Sequence, residues 1–351
     1  MEQVVPVYIL SGFLGSGKTT LLQRLLDHWK EQGLRPAVVM NELGEVNLDG
    51  MLVEQTVPMA EMLGGCICCS IRGDLSTELT TLIKQESPDV VVIEATGAAN
   101  PLEIVDAVTE TSLYQKVELK SLITVVDAAH LLELYRAQQG ATYRLMQEQI
   151  RCASVLLLNK TDRVSPEEEQ EVSVIVHKWN PYASVLPTVR CAVNLQELLS
   201  SGTGVLTTEQ LNETDRESGH PEPYQEATHV VGEQEEQHTT GGTHASHDHV
   251  MAYTHYFKHP VNSEEFEQFV KELPRDVYRA KGIVTFNDTT SRFLFQYAYR
   301  EADFMKITPQ GEVPDVAVFI GEHFSSSKLR MKLMEMEGRN LVRPSTVKRR
   351  L

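Results

Sequence analysis

The sequence predicts an α/β domain with a mainly parallel sheet, followed by a small α+β domain. Short apolar runs, typical of buried parallel strands, alternate with amphipathic segments over residues 1–200. The alternation then stops for about 50 residues, and strand and helix patterns return near residue 252. The chain of 351 residues is long enough for two domains of ordinary size.

The elements of the first domain follow from their apolar periodicity. Predicted strands are the apolar runs 4–10, 37–40, 90–93, 122–126 and 155–158. Predicted helices place their apolar residues on one face, at 20–29, 75–83, 102–108 and 166–179. The start of the last helix is clear, because Ser165 can cap it, Pro166 takes the first position and Glu168 completes a capping box.

The remaining residues divide into a linker, a second domain and a tail. Residues 201–251 are acidic and rich in Gly, Ser, Thr and Pro, and we expect a mostly disordered linker. Residues 252–338 form the predicted α+β domain, with strands at 253–257, 283–286, 292–299 and 316–320 and helices at 264–273 and 328–337. Residues 339–351 are basic, and we expect a solvated tail.

Composition narrows the classes of partner. The net charge of −17 disfavours sequence-blind nucleic-acid binding, which requires a concentrated positive surface. We find no pattern of an export signal or membrane span, so the expected location is the cytoplasm, without a membrane partner. The five cysteines should be reduced there.

Residues 12–19 read Gly-Phe-Leu-Gly-Ser-Gly-Lys-Thr, a full match to the phosphate-loop pattern between a predicted strand and helix. This context predicts a P-loop NTPase domain. Backbone N–H groups would surround phosphate oxygens, Lys18 would reach the outer phosphates, and the Thr19 hydroxyl would ligate Mg²⁺. The candidate nucleotide-binding residues here are Gly12, Gly15, Ser16, Gly17, Lys18, Thr19 and Thr20.

Glu94 directly follows the predicted strand 90–93, and Gly97 lies three residues further on. A carboxylate at this position can hold a metal-bound or attacking water, and Gly97 permits close approach of the backbone to a γ-phosphate. We therefore predict Lys18 and Glu94 as the catalytic residues. A surface glutamate at a strand end is the simpler alternative for Glu94.

Asn159, Lys160 and Asp162 form the tetrad N-K-x-D directly after a predicted strand. The Asp162 carboxylate can accept hydrogen bonds from N1–H and the exocyclic amine of guanine, whereas adenine has a bare acceptor at N1. Asn159 can meet guanine O6 and N7. Because an unpaired buried carboxylate costs about 1–3 kcal/mol, the tetrad predicts GTP as the nucleotide.

Cys66, Cys68 and Cys69 lie within four residues. Three thiolates near one point favour Zn²⁺ or Cu⁺ over Mg²⁺, and a fourth position that is open or filled by one oxygen suits a transferable ion. The alternatives are a disulfide, which this spacing would strain, and buried apolar cysteines. Cys152 and Cys191 stand singly beside apolar residues, and we expect both in the core.

Two further segments could either have a functional role or be solvent-exposed without one. The loop starting at Asn41, with Glu42, Gly44, Glu45 and Asp49, could be a switch that senses the γ-phosphate, or a solvated acidic turn. Eight of the twelve histidines lie between His220 and His259. Histidines of this tract, namely His244, His247, His249, His255 and His259, could bind Zn²⁺ weakly or be solvated.

Taken together, these motifs and their order resemble the CobW family of metal-chaperone GTPases, and the similarity extends to residues 279–282 of the second domain. The resemblance implies a GTPase that loads Zn²⁺, or else Co²⁺ or Fe²⁺, at Cys66, Cys68 and Cys69 and delivers it to a metal-dependent client protein. It also implies Glu42 as a metal-site or switch carboxylate. The sequence does not determine the oligomeric state, and a homodimer is one possibility. Ala95 stands where the family commonly has Ser or Thr, so a hydroxyl contact near the phosphates is missing, and the resemblance supports nucleotide binding more strongly than the details of hydrolysis.

Two other functions remain compatible with the motifs. A P-loop kinase acting on a small molecule would use the same Lys18 and Mg²⁺, but it has no need of a guanine tetrad. A zinc store or sensor would bind most of its zinc in the histidine tract and would lose it when residues 229–249 are deleted.

Overall fold

The computed structural model describes residues 3–42, 57–63, 71–138, 140–201, 250–289, 291–309 and 311–342. The proposed zinc ligands Cys66, Cys68 and Cys69 lie outside these residues, as do Gly44, Glu45 and Asp49. Glu42 is described as the last residue of a strand. No helix in these ranges is both long and apolar enough to cross a membrane.

The first domain contains a parallel sheet of seven described strands in the order β3-β2-β4-β1-β5-β6-β7. Its strands, in chain order, are β1 Val5–Ser11, β2 Pro36–Glu42, β3 Met59–Leu63, β4 Val90–Glu94, β5 Val117–Asp127, β6 Val155–Asn159 and β7 Ser184–Pro187. The predicted parallel α/β fold is confirmed. The patterns missed β3 and β7, whose described side chains are half-buried or exposed rather than fully buried.

Helices cover both faces of this sheet. They are α1 Lys18–Glu31, α2 Ile71–Glu86, α3 Pro101–Thr111, α4 Ala128–Ala137, α5 Ala141–Cys152, α6 Pro166–Trp179 and α7 Leu195–Ser201. Alternate residues of β1 divide between the two cores: Val7 and Ile9 lie in one, Tyr8 and Leu10 in the other. The buried side chains of α1 join the second core, and those of α3, α5 and α6 join the first.

The second domain is an antiparallel sheet in the order β11-β10-β9-β12-β8, with two helices on one face. Its elements are β8 Val250–Tyr256, α8 Ser263–Lys271, β9 Val277–Phe286, β10 Ser291–Ala298, β11 Glu301–Ile307, β12 Val316–Glu322 and α9 Ser326–Val342. The predicted α+β architecture is confirmed. The sequence patterns missed β11, and α9 extends four residues into the region expected to be a tail.

The two sheets belong to one compact unit. Side chains of Val250 and Ile320 lie in the same core as the helices α2 to α6, and Leu113 after α3 packs with Ile283 and Val318. The second domain therefore contacts the side of the first domain that carries α3, the helix following the Glu94–Gly97 region.

Candidate functional site

The phosphate loop joins β1 to α1 at the carboxyl edge of the parallel sheet, where ligands bind in such folds. Gly12 and Gly17 have φ angles of 133° and 116°, a region that favours glycine. A Cβ on Gly12 would lie 2.2 Å from the Val125 carbonyl oxygen, and one on Gly17 would lie 2.4 Å from Asn159 Nδ2. Both positions therefore require glycine, because the backbone has a positive φ and a Cβ atom would clash with a neighbouring residue.

Lys18 is buried, and its Nζ donates hydrogen bonds to the carbonyls of Gly12 at 2.8 Å and Phe13 at 3.3 Å. The ammonium group thus lies on the loop that would receive the phosphates. The N-cap of α1 is Gly17, which makes no side-chain cap, and the first turn has no acidic residue, so the helix N-terminus suits an anion.

The Ser16 side chain is also suited to contact a bound phosphate. Its hydroxyl is buried and has no hydrogen-bond partner among the described residues. A buried hydroxyl without a partner costs free energy, which a phosphate oxygen or an ordered water would recover. Gly15 has φ 72° and is exposed at the tip of the loop, and Thr20 is exposed in the first turn of α1.

Thr19 and Glu94 come together although 75 positions separate them in the sequence. The Thr19 hydroxyl donates to Glu94 Oε1 at 3.0 Å, and Glu94 is buried at the end of β4. β4 pairs with β1, so the carboxylate lies beside the start of the phosphate loop. Two oxygen ligands of this kind fit Mg²⁺, which prefers hard oxygen donors.

Gly97 lies directly against the phosphate loop. A Cβ at this position would be 2.6 Å from the Leu14 backbone nitrogen and 2.7 Å from Leu14 Cγ. The sequence predicted a close approach of the Gly97 backbone to a γ-phosphate, and the structure adds that the neighbour of Gly97 is the phosphate loop itself. The nearby Asn100 caps α3 by accepting from Leu102 N–H at 3.0 Å.

The tetrad residue Asn159 contacts the phosphate loop from the opposite side. Its Nδ2 donates to the Ser16 carbonyl at 2.7 Å, and its Oδ1 accepts from the Cys191 N–H at 3.0 Å. Asn159 is buried, so these bonds fix the loop and the segment after β7 relative to each other. The sequence predicted a contact with guanine, and the structure adds this positioning contact.

Lys160 and Asp162 occupy different surroundings. Lys160 Nζ donates to the Gly15 carbonyl and to Asp127 Oδ2, both at 2.7 Å. Asp162 lies in a 3₁₀ turn, is exposed, and has no hydrogen bond or ion pair with any described residue. Its carboxylate is therefore accessible to a base, as the guanine prediction requires.

Sequence reasoning missed Asp127 and underestimated Cys191. Asp127 ends β5 at the same sheet edge, a position that could have identified it, and its other oxygen caps α4. Cys191 is in the core as predicted, but its thiol also donates to the Gly17 carbonyl at 3.4 Å. Burial raises the pKa of Cys191 to about 11, although the charges of Arg24 and Lys160 oppose the shift.

No group of three or more His, Cys, Asp or Glu residues suited to a metal occurs within the described ranges. β2 and β3 are adjacent and end in register at Glu42 and Leu63, three residues before Cys66. His255, from the histidine tract, is buried in β8, where its Nε2 is 3.1 Å from Glu337 Oε2. His259 follows β8, and its backbone N–H donates to Glu337 Oε1. The other histidines of the tract, His244, His247 and His249, lie outside the described residues.

Comparison with known proteins finds two family profiles. The profile described as "CobW/HypB/UreG, nucleotide-binding domain" matches residues 6–187, and "Cobalamin synthesis protein cobW C-terminal domain" matches residues 250–337. Each of the two described domains therefore matches a profile of its own.

Similar individual proteins carry names that refer to zinc. "Zinc-regulated GTPase metalloprotein activator 1" of Dictyostelium discoideum is 34% identical over 232 residues, which cover 56% of this chain and 48% of the relative. "Zinc chaperone YeiR" of Escherichia coli is 36% identical over 163 residues, covering 46% and 48%. The chain thus spans about half the length of these two relatives. The solved Zn(II)-bound YjiA GTPase from E. coli aligns at 22% identity and a TM-score of 0.44, covering 95% of this chain and 99% of that one.

Proposed function

The chain belongs to the CobW/HypB/UreG nucleotide-binding family and has a CobW C-terminal domain, and from this premise we propose that it is a GTP-hydrolysing metallochaperone. It would bind Zn²⁺ at Cys66, Cys68 and Cys69 and transfer it to a client protein. The observation that supports the proposal is the contact of Asn159 and Lys160 with the phosphate loop, because it brings the N-K-x-D tetrad against the loop proposed to bind the phosphates.

Recognition of GTP would begin at Asp162. Its exposed carboxylate can accept from N1–H and the exocyclic amine of guanine, which adenine cannot offer at those positions. The phosphates would occupy the loop between Gly12 and Thr19. Lys18 would exchange its bonds to the Gly12 and Phe13 carbonyls for bonds to the outer phosphates.

Hydrolysis would depend on residues at the start of α1 and the end of β4. Thr19 and Glu94 would hold Mg²⁺, which when bound neutralises charge on the β- and γ-phosphates. Thr19 can donate its proton to Glu94 and keep its oxygen lone pairs available to the ion. Glu94 would hold a water at the site, and the Gly97 N–H would meet the γ-phosphate.

Zinc is the proposed cargo, for two reasons. Thiolates bind Zn²⁺ far better than they bind Mg²⁺, and two relatives are named for zinc regulation or zinc delivery. Co²⁺ is the alternative cargo for the same donors. Because β2 and β3 run parallel to β1, their last residues, Glu42 and Leu63, lie at the same edge of the sheet as the phosphate loop.

Competitive titration of the full-length protein with Zn²⁺ and Co²⁺, with GDP or a non-hydrolysable GTP analogue, tests this function. We expect stoichiometric zinc binding whose affinity differs between the two nucleotides, since coupling between two sites is reciprocal. Cys66→Ser should remove tight zinc binding and the effect of zinc on GTP turnover. Cys152→Ser, a change at a buried cysteine in α5, is the control and should keep both.

Zinc binding that Cys66→Ser leaves intact, together with GTP turnover that ignores zinc, would contradict the proposal. Loss of most bound zinc on deletion of residues 229–249 would instead support a store. Preference for ATP over GTP would support a kinase.

A further inference from the structure

Gln149 is a fully buried amide on α5 that belongs to none of the sequence motifs. Its Nε2 donates to the Gly97 carbonyl at 3.1 Å and lies 3.5 Å from the Ala99 carbonyl. The reverse orientation of the amide would place its oxygen against two carbonyl oxygens, so these contacts determine which atom faces the loop. A buried glutamine thus holds the segment that follows Glu94.

The backbone of Gln149 is itself anchored to the central sheet. Its carbonyl accepts from the Thr124 hydroxyl at 3.0 Å, and Thr124 of β5 pairs with Ser11 of β1. Ser11 is the last residue of β1, directly before the phosphate loop. Gln149 therefore connects the Gly97 segment to β5, which is paired with β1, the strand that leads into the phosphate loop.

The peptide unit between Gly97 and Ala98 is held from both sides. On one side, Gln149 donates to the Gly97 carbonyl oxygen. On the other, the Ala98 N–H donates to the Thr96 hydroxyl at 3.1 Å. Because a peptide unit is planar, these two bonds fix its orientation and restrict Gly97. The backbone of Gly97 in turn lies so close to Leu14 that a Cβ would be 2.6 Å from the Leu14 nitrogen.

We propose that Gln149 is a positioning residue for GTP hydrolysis, which keeps Gly97 beside the phosphate loop so that its backbone N–H can meet the γ-phosphate. The inference rests on the proposed GTPase function. Gln149 is not a catalytic residue, because it is buried and acts on the nucleotide through Gly97. The affinity for GTP should therefore depend on Gln149. The affinity for GDP should not, since GDP lacks the γ-phosphate.

Gln149→Glu in the full-length protein tests the inference, because the side chain keeps its size but replaces a donor by a carboxylate facing two carbonyls. We expect kcat and the affinity for a non-hydrolysable GTP analogue to fall about 10- to 100-fold, the loss expected for one such hydrogen bond. The affinity for GDP should change by less than about two-fold. Gln147→Glu, the same change two residues earlier on α5, is the matched control and should resemble wild type.

The pH profile distinguishes positioning from general damage. When protonated, the carboxyl group introduced by Gln149→Glu can donate to the Gly97 carbonyl again. The ratio of the variant's kcat to that of wild type should therefore rise as the pH is lowered from about 8 to about 6. If Gln149→Glu does not fold, Thr96→Val removes the other bond to the same peptide unit and should weaken the GTP analogue selectively.

Equal behaviour of Gln149→Glu and Gln147→Glu would overturn the inference, as would equal losses of GDP and GTP affinity. With Thr96→Val, an unchanged ratio of GTP-analogue to GDP affinity would overturn it as well. A wild-type protein that neither bound nor hydrolysed GTP would instead remove the proposed function, and this inference with it.

Discussion

Asn159 and Asp162 share one tetrad but have different surroundings. Asn159 is buried and bonded to Ser16 and Cys191, whereas Asp162 is exposed without a partner in the described part of the chain. The motif identifies both residues from sequence, but it does not reveal that Ser16, 143 positions away, is the partner of Asn159. Substitutions at the two positions should therefore have separable effects.

Asp162→Asn should alter the choice of nucleotide without altering stability. An amide at this position offers a donor where guanine also has donors, so GTP affinity should fall by about 1–3 kcal/mol, or about 5- to 150-fold. Xanthosine triphosphate, which has an acceptor oxygen in place of the exocyclic amine, should bind better than it does to wild type. Fluorescence titration with both nucleotides measures the change.

The control for this prediction is Asp303→Asn, an equivalent change on β11 of the second domain. It should leave both affinities at wild-type values. An unchanged preference for GTP in Asp162→Asn would show that this carboxylate does not contact the base.

At the scale of elements, the best predicted one is α6. Its bounds of Pro166–Trp179 match the prediction, and both hydrogen bonds of the capping box between Ser165 and Glu168 are present. The prediction succeeded because the signals that start this helix are local. β11 was missed because its side chains are mostly exposed or half-buried, and its partner strand β10 determines its place.

β8 and α9 are joined by a buried polar cluster. His255 Nε2 lies 3.1 Å from Glu337 Oε2, the Tyr253 hydroxyl is 3.3 Å from His255 Nδ1, and Glu337 Oε1 accepts from the N–H groups of Lys258 and His259. Burial lowers the pKa of His255 from its ordinary value of 6.5, against the opposing influence of Glu337, while the charges of Arg330 and Lys258 reinforce the shift.

This cluster predicts a pH dependence of stability. Because the pKa of His255 is lower in the folded state, the unfolded state binds more protons, and the free energy of unfolding should decrease as the pH falls below about 6.5. His255→Gln should remove this contribution and give a shallower decrease. Urea denaturation between about pH 7.5 and about pH 5.5 measures both slopes.

His177→Gln, a change at an exposed histidine of α6, is the control and should keep the wild-type slope. A slope for His255→Gln as steep as that of wild type would contradict the prediction.

At the scale of the whole molecule, the contact between the two sheets combines apolar packing with directed polar bonds. The Tyr256 hydroxyl accepts from the Val117 N–H at 2.8 Å and lies 2.7 Å from the Val117 carbonyl. Arg279 pairs with Asp106 at 2.7 Å, and Lys281 pairs with Glu110 at 2.6 Å. Both acidic residues lie on α3, so the helix that follows Gly97 is also the helix that the second domain contacts.

Tyr256→Phe should destabilise the protein by about 1 kcal/mol, because it removes the hydroxyl that accepts from the Val117 N–H and donates to the Val117 carbonyl in a partly buried position. Tyr299→Phe is a matched control at the tip of the β10–β11 hairpin, where the side chain is 91% exposed. It should change stability by less than about 0.5 kcal/mol. Equal urea midpoints for the two variants would show that the Tyr256 hydroxyl contributes nothing to the contact.

The sequence by itself determined the local features of this protein. The phosphate loop, the tetrad, five strands of the parallel sheet and the start of α6 are encoded by residues close together in the chain, through glycine conformations, apolar runs and caps. The cysteine cluster predicts a thiolate site from its spacing, and this stays a prediction because Cys66, Cys68 and Cys69 lie outside the described residues. These predictions need only the chemistry of neighbouring residues.

Tertiary structure alone decided which of these features meet. The strand order places Glu94 of β4 beside Thr19 and Asn159 of β6 against Ser16. It also brings Gln149, which no motif contains, under the Gly97 carbonyl, 52 positions away. Such contacts depend on how strands and helices pack. Local periodicity carries no information about that packing, because the same apolar pattern is compatible with many strand orders.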